Sequence, residues 1–160
     1  MSAPKQKPGR SKQDYRTPPE LLAAIRRAFA VDHWACDLAA DVNSAICPWW
    51  IGPGSANGEN SLEADWAKWE GDLWLNPPFG HIDPWAEKCS TSVRSGRIFL
   101  LVPASVGSNW YEAHLHGQAH VVAISPRVTF VSQKDPYPKD LVLAVFSGIR
   151  GGFSTWRWKP

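Results

Sequence analysis

Residues 97–104, RIFLLVPA, run apolar without a break after a single arginine. A strand with one wet face alternates apolar and polar side chains, whereas a strand covered on both faces is apolar throughout. This run therefore asks for a sheet with layers packed on both sides, and for strands and helices that alternate along the chain. The rest of the chain supplies them. Strands are expected over 31–38, ending near Asp37, over 73–75, 120–125, 127–131 and 141–148, with a short one around 49–51. Thr17 reads as an N-cap, with Pro18 at the first helical position and Glu20 closing a capping box. Leu21, Leu22, Ile25, Ala28 and Phe29 then fall on one helical face. A second helix is expected from an Asp83 cap followed by Pro84, with Trp85, Cys89 and Val93 facing inward. A third, over 109–116, is closed by Gly117. The expectation is an α/β fold in one compact domain over 14–160, with a mostly parallel central sheet and helices on both faces.

Residues 1–13 are polar, basic and proline-bearing, and read as a disordered leader. Charge is sorted along the chain. Residues 1–12 carry +4, residues 13–87 carry −8 and residues 88–160 carry +6. Such sorting points to two surfaces with different partners, against the alternative of a solvated tail and a chance imbalance. No apolar run reaches the ~18 residues of a membrane span, and no secretory h-region opens the chain. No membrane partner is expected. The three cysteines, Cys36, Cys47 and Cys89, are an odd number without metal-type spacing, as in reduced structural thiols of a cytoplasmic protein. The five histidines show no metal spacing either, so no metal site is expected.

The sharpest local feature is LWLNPPFG, residues 73–80. Pro77 and Pro78 lack N–H groups and end the apolar strand abruptly. That leaves Asn76 at the strand end, followed by a rigid carbonyl and the aromatic Phe79. In open α/β sheets ligands sit beyond the carboxyl ends of strands, where Asp37 and Asn76 both fall. The corner suits one chemistry. An exocyclic amino group of a nucleobase is a poor nucleophile because its lone pair is delocalised into the ring. The Asn76 side-chain oxygen and the Pro77 carbonyl could hold its two hydrogens out of the ring plane, while Phe79 stacks on the base. Cytosine C5 methylation would instead need a cysteine nucleophile, and the corner has none.

Asn-Pro-Pro-aromatic after an apolar strand resembles the catalytic motif of amino-methyltransferases. The ordered segments DYRTPPELLAAI, ACDLAADVNSAICPWW, SLEADW, LWLNPPFG, RIFLLVPA and PRVTFV…DPYPKDLVLAVF resemble the phage and prophage DNA N6-adenine methyltransferase family over about 14–147. The resemblance implies a Rossmann-like class I methyltransferase that uses S-adenosylmethionine on double-stranded DNA with the target adenine flipped out. It implies catalytic roles for Asn76, Pro77, Pro78 and Phe79, and cofactor contacts for Tyr15, Thr17, Pro18, Asp37, Asn43, Asp65 and Trp66. Asn60 lies in a family-like segment as well. Asp37 is followed by Leu38, Ala39 and Ala40, without the Gly-rich turn of the wider methyltransferase pattern. Arg127, Lys134 and Lys139 are candidates for phosphate contact, with Gln133 for any base contact. The short loops leave little room for a recognition segment, so a short or relaxed target sequence is expected. An RNA adenine or protein glutamine N-methyltransferase shares the same corner. A non-catalytic nucleic-acid-binding protein with a degenerate pocket is the reading from another class.

Overall fold

The protein is described by a computed structural model that covers residues 15–92 and 94–160. The leader expected over 1–13 and the inward placement of Val93 fall outside the described residues. Helix α1 (Pro19–Ala28) leads into β1 (Trp34–Asp37), a short 3₁₀ helix (Trp66–Lys68) and β2 (Asp72–Leu75). Then come α2 (Asp83–Thr91), β3 (Ile98–Pro103), α3 (Asn109–His114), β4 (His120–Ser125), β5 (Leu141–Phe146) and β6 (Phe153–Arg157). The strands form one sheet in the order β1-β2-β3-β5-β4-β6. β1, β2 and β3 are mutually parallel, β4 and β6 are parallel, and β5 is antiparallel to both its neighbours. Five strands of this sheet thus point one way and β5 alone is reversed.

The apolar run over 97–104 behaves as its composition requires. Every residue of β3 is buried, and so is every residue of β5 beside it. Alternate side chains enter opposite layers. Ile98, Leu100 and Val102 pack with Leu73, Leu75 and Ala86 and Cys89 of α2. Phe99 and Leu101 pack with Trp34, Trp74 and Leu21, Ala24 and Ile25 of α1. The β1–β2 register pairs Asp37 with Trp74, so Asp37 and Asn76 emerge at the same edge of the sheet. Among the described residues no helix is long and apolar enough to cross a membrane.

Several local expectations are corrected. Thr17 is not the helix cap. The N-cap is Pro18, with ψ 137° and no side-chain cap hydrogen bond, and the helix starts at Pro19. Pro18 precedes a proline, which bars it from helical ψ, so no capping box forms and Thr17 is left outside the helix. Asp83 is the first residue of α2 rather than its cap, which is Ile82. The strand expected around 49–51 reduces to an isolated parallel bridge between Asp37 and Trp50. Residues 127–131 lie outside the sheet. β4 already has β5 on one side and β6 on the other. The segment finds its partner elsewhere, with the Val131 amide donating to the Arg16 carbonyl at 3.0 Å. β6 was not expected; its half-exposed residues alternate behind Gly151 and Gly152.

The start of β3 is held tightly. The Arg97 guanidinium donates from Nε (2.8 Å) and Nη2 (2.6 Å) to the Asp72 carboxylate, and from Nη1 to the Phe29 carbonyl at 2.8 Å. Just before it, Gly96 has φ +89°, and a Cβ there would stand 2.2 Å from the Gly71 carbonyl oxygen. Both the backbone conformation and the space demand glycine. Gly96→Ala is expected to destabilise the fold by about 1–3 kcal/mol, measured as a lowered urea midpoint at unchanged slope.

Candidate active site

The strand β2 stops at Leu75, and Pro77 and Pro78 cannot extend the ladder. The Asn76 side chain is fixed from across the fold. Its Nδ2 donates to the Tyr15 carbonyl at 2.6 Å and to Thr17 Oγ1 at 3.1 Å. Its Oδ1 is buried and has no hydrogen-bond partner among the described residues. Leaving a buried carbonyl oxygen unpaired costs roughly 1–3 kcal/mol. Trp34 Nε1, Trp69 Nε1 and Arg94 Nε share this condition, and of the four only Asn76 Oδ1 belongs to a residue lining the cleft described next.

Asn76 stands on a cleft of about 760 Å³, together with Tyr15, Thr17, Asp37, Asn43, Asn60 and Pro78. These sequence candidates are thus brought together by segments before α1, after β1 and after β2. The floor of the cleft comes from the loop after β1. The Ala40 amide donates to the Ile51 carbonyl at 3.1 Å, and a Cβ on Gly52 would lie 1.9 Å from the Ala40 oxygen. The backbone of Gly52 thus lies close against that of Ala40, three residues after Asp37. Asp41, Ser44, Gly52, Glu59, Ser61 and Trp85 also line the cleft and were not singled out from the sequence. The one local signal was the turn chemistry around Asp41, whose Oδ1 accepts from the amides of Asn43 (2.7 Å) and Ser44 (2.9 Å).

Asp37 is buried at the end of β1. Its Oδ1 accepts from the Ala39 amide at 3.3 Å and its Oδ2 from the Ile46 amide at 3.2 Å. Burial nevertheless pushes the carboxyl up to about 6, against the two hydrogen bonds that pull the other way. No cation pairs with it among the described residues.

Other candidates stand outside the cleft lining. Asp65 caps the 3₁₀ helix, accepting from the Ala67 amide at 2.9 Å. Trp66 is buried, with Nε1 donating to the Ser61 carbonyl (3.0 Å) and hydroxyl (3.1 Å) and Lys88 Nζ 4.8 Å over its ring. Trp66 therefore braces Ser61, which does line the cleft. Pro18 serves as the N-cap residue of α1, and Pro77 is buried. Phe79 belongs to an aromatic cluster, with ring centroids 5.8 Å from Tyr15 (stacked), 5.5 Å from Tyr137 and 6.1 Å from Phe130. Arg127 donates to Asp140 at 3.0 Å in an exposed pair. Gln133, Lys134 and Lys139 are exposed on the loop between β4 and β5.

Cys36 and Cys89 are buried, and Cys47 is half-buried with Sγ donating to the Trp49 carbonyl at 3.0 Å. Burial pushes Cys36 up to about 12 and Cys47 up to about 11, which keeps both as unreactive thiols. Among the described residues no group of three or more His, Cys, Asp or Glu is placed to hold a metal ion.

A family model described as DNA N-6-adenine-methyltransferase (Dam) matches residues 5–141. No curated protein matches. Among solved structures, the chain is similar to the crystal structure of a predicted O-methyltransferase from Agrobacterium tumefaciens. That match has 21% identity and a TM-score of 0.33, and covers 54% of this chain and 41% of the other. The chain thus spans less than half the length of that protein.

The raised Asp37 carboxyl makes a pH prediction. Its folded value lies above the ordinary 3.8, so the contribution it makes is present at low pH and lost as pH rises through about 6. Asp37→Asn removes this dependence. Relative to wild type, the variant is expected to gain about 2 kcal/mol between pH 4.5 and pH 7.5 in urea unfolding.

Proposed function

Because the chain belongs to the DNA N-6-adenine-methyltransferase (Dam) family, we propose that it transfers a methyl group from S-adenosylmethionine to the N6 amino group of adenine in DNA. The observation that carries this reading is the buried, unpartnered Oδ1 of Asn76 on the wall of the cleft. An N6 amino group brings the hydrogen this oxygen lacks. The Pro77 carbonyl, held rigid by Pro78, accepts the second hydrogen. With both hydrogens drawn out of the ring plane, the nitrogen lone pair leaves the ring's π system. The two acceptors matter most as positive charge develops on the nitrogen, so they stabilise the transition state above the ground state. S-adenosylmethionine held in the cleft would supply the electrophilic methyl group, and the N6 proton displaced on transfer would pass to water.

The cleft fits such a cofactor. Its volume lies within the range of small-molecule sites. The desolvated Asp37 lacks a cation and would take a hydrogen-bond donor or positively charged group of the cofactor, with Tyr15 and Asn43 on the same walls. Trp66 contributes through Ser61, and Asp65 by capping the 3₁₀ helix that carries Trp66. A Rossmann-like class I methyltransferase sheet is part of this reading, supported by the carboxyl-edge placement of Asp37 and Asn76.

A duplex adenine is flipped out to reach Asn76, and the Phe79 cluster offers it an aromatic face. The loop between β4 and β5 opens from the same sheet edge, because β4 ends there and the reversed β5 begins there. Arg127, Lys134 and Lys139 on it meet phosphates; the exposed pair of Arg127 with Asp140 is weak enough to be exchanged for one. Gln133 is the residue for base contact, and the target is short or relaxed.

Labelled-methyl transfer to DNA, RNA and protein in parallel tests the reading, with N6-methyladenine in DNA as the expected product. Label only in RNA or protein would overturn it. Asn76→Ala is expected to lower transfer by about 10²–10³-fold with S-adenosylmethionine affinity by calorimetry retained. Replacing Lys134 and Lys139 together by Ala is expected to weaken DNA binding alike for all sequences and to flatten its salt dependence, read by titration at several salt concentrations.

A further inference from the structure

We infer that Thr17 is a positioning residue for the Asn76 amide. Its hydroxyl takes the second amide hydrogen and, with the Tyr15 carbonyl that sets the orientation, holds the side chain so that Oδ1 is left free for the target amino group. The inference rests on the reading of Asn76 as an acceptor.

An asparagine amide has two donor hydrogens and one acceptor oxygen, and its terminal torsion is broad. Left alone in a cleft it would present either end. Here both Nδ2 hydrogens are claimed, by the Tyr15 carbonyl at 2.6 Å and by Thr17 Oγ1 at 3.1 Å. A peptide carbonyl only accepts, so the nitrogen must face Tyr15. That contact removes the choice the threonine hydroxyl would otherwise have, because a hydroxyl could equally donate to the amide oxygen and occupy it. With the nitrogen saturated, both lone pairs of Oδ1 remain. Donation from both N–H groups also polarises the amide, which makes its oxygen the stronger acceptor.

Thr17 is free for this duty and held to it. It takes no part in capping α1, because Pro18 is the N-cap and makes no side-chain cap bond. The residue before a proline is driven to extended backbone, so the segment cannot wind into the helix. Arg16 anchors it at two points. Its carbonyl accepts from the Val131 amide at 3.0 Å, and its Nη1 donates to the Asn43 carbonyl at 3.1 Å. Thr17 itself is buried, so water does not compete for the hydroxyl.

The test uses Thr17→Val, which keeps the shape and removes the acceptor, with Thr17→Ser as the variant that restores it. For Thr17→Val, kcat for methyl transfer is expected to fall about tenfold, the scale of one lost hydrogen bond, with calorimetric S-adenosylmethionine affinity unchanged. Thr17→Ser should recover most of the rate. On an Asn76→Ala background Thr17→Val should cost nothing further, since the group it positions is gone. A cofactor affinity that falls in step with kcat would make the hydroxyl a cofactor contact and overturn the inference. So would wild-type kcat in Thr17→Val, or a further loss on the Asn76→Ala background. NMR of the wild-type protein gives a readout free of any variant: both Asn76 side-chain amide protons should exchange slowly with water, and fast exchange of either overturns the inference. If instead Asn76→Ala transfers methyl at full rate, the acceptor reading of Asn76 fails, while slow amide exchange would still report the Thr17 contact.

Discussion

A threonine and an asparagine, each followed by two prolines, share the hydrogen bond on which the cleft depends. Thr17 and Asn76 are 59 residues apart in the chain and 3.1 Å apart in the fold. The prolines make the contact necessary. Each Pro-Pro pair removes two backbone donors and forces the residue before it into an extended conformation. The segment before α1 therefore cannot join the helix, and the segment after β2 cannot continue the sheet. Two stiff stretches of chain arrive at one place with polar groups that no regular structure satisfies, and they satisfy each other incompletely. The remainder is one amide oxygen without a partner.

The cleft has a second site of incomplete compensation, and it differs in kind. Asn76 Oδ1 is neutral and lacks a hydrogen bond among the described residues. Asp37 has its hydrogen bonds, from Ala39 and Ile46, and lacks a counter-charge among the described residues. Burial opposes its ionisation more than the two amides favour it, which is why its carboxyl rises toward neutrality. Both sites are short of positive character. A ligand that fills the cleft gains by bringing N–H or O–H groups, or a cation, to these two residues. The flanking thiols bring no charge, since burial holds Cys36 and Cys47 protonated and the neighbouring Asp37 disfavours their ionisation further.

How much of this was legible in the sequence depends on the range of the interaction concerned. The run 97–104 announced a strand covered on both faces, and 120–125 is the strand β4 as expected. Asp37 and Asn76 could be placed at one edge because apolar runs ending in a polar residue say where strands stop. The helix cap failed by one residue, since Thr-Pro looks like a cap until the second proline is weighed. Residues 127–131 have the composition of a strand. Whether they join the sheet is decided by β6, a later segment that takes the free edge of β4. Asp65 and Trp66 were read beside the cofactor because the Asp-Trp pair resembles a motif. The contacts that make them braces, to Ala67, Ser61 and Lys88, are set by packing that no spacing encodes. The pairing of Asn76 with Thr17 and Tyr15 spans 59 and 61 residues and leaves no periodic trace.

The reversed strand ties these parts to the charge sorted along the chain. Parallel neighbours need a crossover connection, whereas an antiparallel neighbour can be reached by a loop that stays at one edge. Because β5 runs against β4, residues 126–140 leave and re-enter the sheet at the edge where Asp37 and Asn76 emerge. The loop folds on itself, with the Tyr137 amide donating to the Val128 carbonyl at 2.7 Å, and it is tied to the segment before α1 through Val131 and Arg16. Its Phe130 and Tyr137 pack on Tyr15 and Phe79. The acidic first half of the chain thus builds the cleft, and the basic second half returns to its rim through one loop. The residue whose carbonyl orients Asn76 places its ring against that loop. The loop is therefore linked to the Asn76 amide through Tyr15, whose ring packs on Phe130 and Tyr137 and whose carbonyl accepts from Asn76 Nδ2.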